Sequence, residues 1–548
     1  MSVRNGFALL LALSGLLFLA ACGSSGGGIT NPVAPPSGNF STSNLNGTYV
    51  FSVSGTDINY GTPYAMVGTL TANGSGGITG GTIDINDVAF FEDYPTPLTA
   101  ADLPIGNASY GVSVDGRGKI TFTTSNAVFP TVTLDFVLSS SSHGLVTEFD
   151  AYGTGSGTID LESAGTTPAG AYAFSFSGGS FSQSPIPYAA VGNFTLGAGG
   201  AISTGLVDSN EGGLIPSLQG SLTGSVIISS TAPSTTLTFP QFGTLTFDVF
   251  PIDATHLKFI EMDTTATLSG DAYSQTSTAL PTGTLPFTLE GSTNEGAPFT
   301  AGGFMVTDGA GNITSASSED IAEYTSAGTT SVLSAASFTG TYAALPTGSG
   351  RYALSFPSSS GFVPAGSTFA AYPSSGGVLL LEADSLGITT GAAYGPQSTP
   401  VPTFAAAQGY ALNLTGENVN VGEVDNIAEF TTSSSGDTIT GIIDENTEAG
   451  NGPTYGLALT EGTYTLPDTN GRGQISATAD TINGGLLLNY YTVDGTTFPF
   501  IETDGGQVAT GVFVQQNPTA AAGAVAMHSH MFVPRPLFHS RAARQKKN

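Results

Sequence analysis

The chain has 548 residues, 40% hydrophobic and only 9% charged, with a formal net charge of −30. That length predicts several domains, and the apolar content excludes a disordered acidic chain. Between leader and tail, five basic residues (Arg117, Lys119, Lys258, Arg351, Arg472) stand against all 41 acids, a formal charge of −36. Such a body repels nucleic acid and anionic membrane surfaces.

The first predicted element is a leader. Arg4 supplies a short positive region, and Phe7 to Ala20 form an apolar run too short for a comfortable membrane span. Then comes Leu19-Ala20-Ala21-Cys22-Gly23. This stretch resembles the lipobox of bacterial lipoproteins. The resemblance implies cleavage after residue 21, a diacylglyceryl group on the Cys22 sulfur and an acylated Cys22 amine. Gly23, where an Asp would signal retention, implies the outer membrane by the same resemblance. The alternative is an ordinary signal peptide cut near Ala21. Cys22 is the sole cysteine, so intrachain disulfides are excluded. Residues 22–43 read as a Gly/Ser/Pro tether holding the body off a membrane. No other stretch of 18 apolar residues follows.

Four copies of a unit of roughly 120 residues come next, at 44–165, 166–281, 282–403 and 404–517. Each opens on an alternating strand: GTYVFSVSG, GAYAFSFSG, LPFTLEGS and QGYALNLTG. A strand–glycine turn–strand hairpin follows. Copies one, three and four then carry a glycine turn with an arginine: Arg117, Arg351 and Arg472. A strand pair closes each copy, and a final strand ends near Ser163, Gln275, Gln397 and Gln516. Period-two alternation and glycine-rich turns predict an all-β fold with about seven or eight short strands per unit. Hairpin succession predicts antiparallel meanders, closed as up-and-down β-barrels in preference to small β-sandwiches.

The most regular chemical feature is Glu-x-Asp on the closing strand: Glu148/Asp150, Glu261/Asp263, Glu382/Asp384 and Glu502/Asp504. Residues i and i+2 share a strand face, so an apolar face ends in two carboxylates. An inward carboxylate needs a partner. The expected partner is the arginine of the same unit, clamping its own Glu-x-Asp pair bidentately. Copy two lacks that arginine, and Lys258 lies on the face opposite Glu261. The same residues would also suit a polar ligand at a barrel mouth. A weaker candidate is calcium, at Asp84/Asn86, Asp208/Asn210 and Asp444/Asn446, since hard oxygen ligands suit Ca²⁺; EF-hand spacing is absent.

Catalysis has little support. His143 and His256, the two body histidines, read as lying at non-equivalent places relative to the closing motif. Neither G-x-S-x-G nor H-E-x-x-H occurs. The tail, 518–548, is basic and carries His528, His530 and His539; it reads as a disordered terminus or as a contact for an acidic envelope polymer or the protein's own body. The expected function is that of a lipid-anchored cell-envelope protein with a structural or adhesive role and no enzymatic one. Its partners would be the membrane, through the anchor, and an envelope polymer or protein. The alternatives are a small-ligand or calcium-binding envelope protein and a carbohydrate-active enzyme.

Overall fold

A computed structural model of the chain describes residues 39–87, 98–127, 129–163, 167–181, 185–213, 215–227, 234–239, 243–325, 329–418, 420–449 and 452–519. The leader, Cys22, most of the tether and the basic tail beyond 519 lie outside them. The described chain is all β apart from two single-turn 3₁₀ segments. Four antiparallel meanders follow one another at 46–161, 170–274, 283–394 and 409–515, here called units one to four.

Each unit closes on itself because its first strand pairs with both its second and its last. In unit four, Gly409–Asn418 pairs with Gly422–Thr432 and with Gln507–Gln515. Units three and four are closed eight-stranded barrels. In units one and two the fourth strand is split into Leu98–Pro104 and Gly106–Val112, and into Ile215–Ser221 and Thr223–Ile227. The first half pairs with the third strand and the second half with the fifth, so these sheets also curl round. The expectation of up-and-down barrels is met in all four units.

Alternation explains the interior. On Gly409–Asn418, Tyr410, Leu412 and Leu414 point into the barrel among Phe430, Phe498 and Phe513. Each unit has its own such core, and unit one's is built on Tyr49, Phe51, Met66, Phe122 and Phe136. The cavity inside the third barrel is about 10 Å³, room for one water at most.

The intervening residues are buried too, against another unit. Val50, Ala65 and Val67 of unit one pack on Phe250, Ile252 and Ile260 of unit two. Ala173 and Val191 of unit two meet Leu379 and Ile388 of unit three. Ala322 and Tyr324 of unit three meet Val508 of unit four. Ala411, Ile427 and Val514 of unit four return to Val137 and Leu145 of unit one. The four barrels therefore form a closed ring. Full burial of such side chains is worth about 1.5–3 kcal/mol each, which an isolated barrel would forgo. The ends of the body meet at the closing junction, where the Asn44 amide donates to Pro518 O at 3.0 Å.

Candidate functional site

The Glu-x-Asp strand ends are local fold devices. Each Asp accepts the backbone N–H two residues on: Asp150 from Tyr152, Asp263 from Thr265, Asp384 from Leu386 and Asp504 from Gly506, at 2.8–2.9 Å. Its second oxygen takes a strand N–H in three units, from Thr133, Thr246 and Thr368, and the Asn483 amide in the fourth. Each Glu is fully buried. Burial first, and then the neighbouring aspartate, pushes Glu261 up to about 11 and Glu382 up to about 8, and holds Glu148 and Glu502 well above the usual carboxylate range. Burial thus disfavours the charged form of all four glutamates.

The expected clamp within each unit is therefore not what forms. Burial disfavours charge on the glutamates, and the aspartates are already satisfied by N–H donors. The arginines also lie on the other strand face. Arg472 pairs in register with Tyr491, whose ring packs outward on Phe304 of unit three.

What the arginines hold is an aspartate of another unit. Arg351 binds Asp208 of unit two through Nε at 2.6 Å and Nη2 at 2.8 Å. Arg472 binds Asp320 of unit three through the same two nitrogens at 2.7 and 3.0 Å. Arg117 reaches Asp444 of unit four at 3.1 Å and its own Asp115 at 3.0 Å. Tyr372 and Tyr491 add hydroxyl donors to Asp208 and Asp320. Each aspartate also accepts the N–H of a left-handed residue in its own unit's fourth strand: Asp102 (φ 54°) on Asp84, Gln219 (56°) on Asp208, Ala335 (51°) on Asp320 and Gly456 (69°) on Asp444. So Asp208 and Asp444, two of the calcium candidates, are joint residues. Among the described residues no group of three or more His, Cys, Asp or Glu is arranged to hold a metal ion.

The paired asparagines cap the neighbour's closing turn. Asn86 donates to Glu261 O and Ala266 O, Asn210 to Glu382 O and Gly387 O, and Asn446 to Glu148 O and Gly153 O, at 2.7–3.1 Å. Unit three has Ala322 there and uses an apolar contact instead. The glutamines that end units two, three and four are latches. Gln275 donates to Pro373 O at 2.8 Å, Gln397 to Asn470 O and Thr492 O at 2.9 Å, and Gln516 to Asp115 O at 2.8 Å and Leu138 O at 2.9 Å.

This arrangement explains the glycine before each arginine. Gly116, Gly350 and Gly471 have φ of 84°, 74° and 102°. A Cβ there would stand 2.7, 2.9 and 2.2 Å from the latch nitrogens of Gln516, Gln275 and Gln397. Gly471→Ala is expected to lose about 2 kcal/mol from left-handed strain alone, more with the displaced latch. A denaturant midpoint equal to the parent's would contradict the latch.

The junction of units one and two has a different chemistry. Lys258, fully buried, binds Asp271 at 2.9 Å and lies 3.8 Å from Asp160 of unit one. His256 bonds Asp271 at 2.5 Å and His143 bonds Asp160 at 2.7 Å. The two histidines prove equivalent: each opens the strand carrying the buried Glu, five residues before it. Both are closed to solvent.

Asp320 and the latches were missed from sequence. One more residue separates Gly302 from Asp320 than separates Val67 from Asp84, because the third unit's hairpin carries one more bulged residue than the first's. Aligning the copies on the strand rather than on the glycines would have found it. No protein-family model matches the chain, and no curated protein does. Among solved structures it is similar to a mutant of the vaccine antigen transferrin-binding protein B from Haemophilus parasuis, at 9% identity, covering 90% of this chain and 98% of that one, with a TM-score of 0.17. It is also similar to CghA with Sch210972, at 9% identity, covering 89% and 96%, with a TM-score of 0.13. Likenesses at these TM-scores imply nothing about fold or function.

Proposed function

We propose that this chain is a lipid-anchored, non-enzymatic envelope protein whose body is a rigid ring presenting outer faces to a polymer or protein partner. One observation carries the reading. The charged and amide residues that recur from unit to unit are spent on joining the units and on their strand ends rather than on lining a cleft. The cavity between units one, three and four is about 70 Å³, lined by Thr158, Glu290, Tyr394, Asn413 and Thr510 among others. That is room for a few waters, against roughly 300–1,000 Å³ for small-molecule sites. The buried His–Asp pairs offer no substrate access. Leu218, Val332 and Leu333 are exposed along the fourth strands, where a partner could dock.

The anchor rests on the lipobox resemblance around Cys22. Growth with a labelled fatty acid is expected to label the chain, and Cys22→Ser to abolish the label and release the protein from membranes. Retention of the label by Cys22→Ser would refute the anchor. The calcium reading is tested by calorimetry of the full chain with calcium and with chelator. The melting profile is expected to be unchanged; a large calcium-dependent rise would make the recurring acids ion ligands.

A further inference from the structure

Three junctions of the ring share one chemistry. A nitrogen donor, Arg, meets the third-strand aspartate, and a second nitrogen donor, Gln, meets backbone carbonyls across the joint. The junction of units one and two has an acid, Glu162, in the glutamine's place and a second acid, Asp248, beside its third-strand aspartate.

The strand registers fix the correspondence. Phe247 opposes Glu261 as Leu488 opposes Glu502, and Thr235 opposes Phe247 as Ile475 opposes Leu488. Counting back three from Thr235, the place of Arg472 falls on Ala232, outside the described residues. Phe250 stands where Tyr491 stands, so the tyrosine donor is absent as well. In place of both, Asp248 of unit two comes beside Asp84: Asp248 opposes Ile260, Asp84 opposes Val67, and Val67 packs with Ile260 across the joint. The latch position is likewise changed. Tyr49 opposes Leu161 as Tyr172 opposes Ser274 and Tyr410 opposes Gln515. The residue after each is then Glu162, Gln275 and Gln516. Glu162 bonds Thr48 O through its backbone N–H just as Gln516 bonds Gly409 O.

We propose that this junction is the ring's proton-operated seam: Asp84, Asp248 and Glu162 close it when protonated and release it when they ionise. A protonated carboxyl donates a hydrogen bond, as the Arg and Gln of the other joints do. An ionised one cannot, and at Asp84 it meets a second carboxylate in a buried place. The charged groups facing Asp84 are Asp102 of its own fourth strand and Asp248. Those facing Asp248 are Asp84 and Asp102. Burial alone acts on Glu162. Lys258, with Asp160, Asp271, His143 and His256, forms a separate network on the same junction. Burial first, with Asp248 adding, raises Asp84 to about 8; burial raises Asp248 and Glu162. A group whose closed-state proton affinity is raised stabilises the closed state at low pH. That stabilisation is lost between the ordinary carboxylate value and the raised one, here from about pH 4 to about pH 8.

The described body holds no cysteine, which makes a distance measurement clean. Ala151, Thr264 and Ser385 are exposed and each follows the closing Glu-x-Asp of its unit. In the full chain with Cys22→Ser, spin labels on Ala151→Cys/Thr264→Cys span the seam, and labels on Thr264→Cys/Ser385→Cys span the next joint. From pH 5 to pH 9 the first pair is expected to gain a long-distance population by about tenfold or more, one unit of proton-affinity difference being tenfold in the equilibrium. The second pair stays unchanged. Asp248→Asn/Glu162→Gln, which donate at any pH, hold the first pair short at pH 9. An equal response of both pairs overturns the proposal, as does a seam indifferent to pH or a response that survives these substitutions.

Discussion

Asp208→Ala is expected to destabilise the protein by about 3–5 kcal/mol, the size associated with stranding one member of a buried ion pair. Arg351 is 2% exposed and Asp208 0%, so the guanidinium left behind would be screened by almost no water. The same change strips partners from the Tyr372 hydroxyl and from the Gln219 N–H, which sits at a φ of 56°. The double variant Asp208→Leu/Arg351→Met is expected to recover most of the loss, since an apolar pair of similar volume removes both desolvation penalties. Urea unfolding of parent, single variants and double variant gives the coupling directly. A coupling energy near zero would mean that the joint owes nothing to this pair. The same test at Arg472 should give less, because its side chain is 26% exposed.

The second large effect is on pH. Most proteins lose stability in mild acid as paired carboxylates protonate; this one is expected to gain it. Burial pushes Glu261 up to about 11, and Glu382, Glu319, Glu429 and Asp135 up to about 8. Each of these groups holds its proton in the folded state at a pH where the unfolded chain has released it. The folded state then binds more protons, and stability falls as pH rises from about 4.5 to about 8. The slope is about 1.4 kcal/mol per pH unit for each group titrating in that window. Asp263 acts in the opposite sense: hydrogen bonds, Glu261's among them, outweigh burial and lower it, and its contribution is lost in stronger acid. The melting temperature should therefore peak near pH 4–5 and decline towards pH 8. Glu382→Gln, which keeps the bond to Thr389, should flatten the decline. A profile that rises from pH 5 to pH 8 would show these carboxyls to be ionised and paired.

The barrels were legible because their causes are local. Alternation in GYALNLTG and the glycine turns specify strand, turn and face without reference to anything distant. The inward turn of Glu148, Glu261, Glu382 and Glu502 follows from the same two-residue period. The joints were not legible, because the partners are far apart: Arg117 and Asp444 are 327 residues apart, Arg472 and Asp320 152, and Arg351 and Asp208 143. Proximity in sequence favoured the Glu-x-Asp pair of the same unit, and nothing in a strand's own pattern says that its outer face is covered by another barrel. One hint was present. The outer positions of Gly153–Leu161 are Thr154, Ser156 and Thr158, small and weakly polar, and two of them donate to Asp425 of unit four. An outer face in water would ordinarily carry longer charged side chains, and these positions carry none.

The ring closes by a head-to-tail contact repeated until the last copy meets the first. Open solenoids built from repeats can lengthen or shorten by one copy and keep every interface satisfied. This architecture cannot. With a repeat deleted, the donors of one unit and the aspartate of another would face each other across a gap set by the wrong rotation. The cheapest remedy would be to find them on a second chain. Gene-level gain or loss of a unit should therefore show itself as polymerisation rather than as a smaller or larger monomer, and selection on this fold acts on copy number as strictly as on any residue.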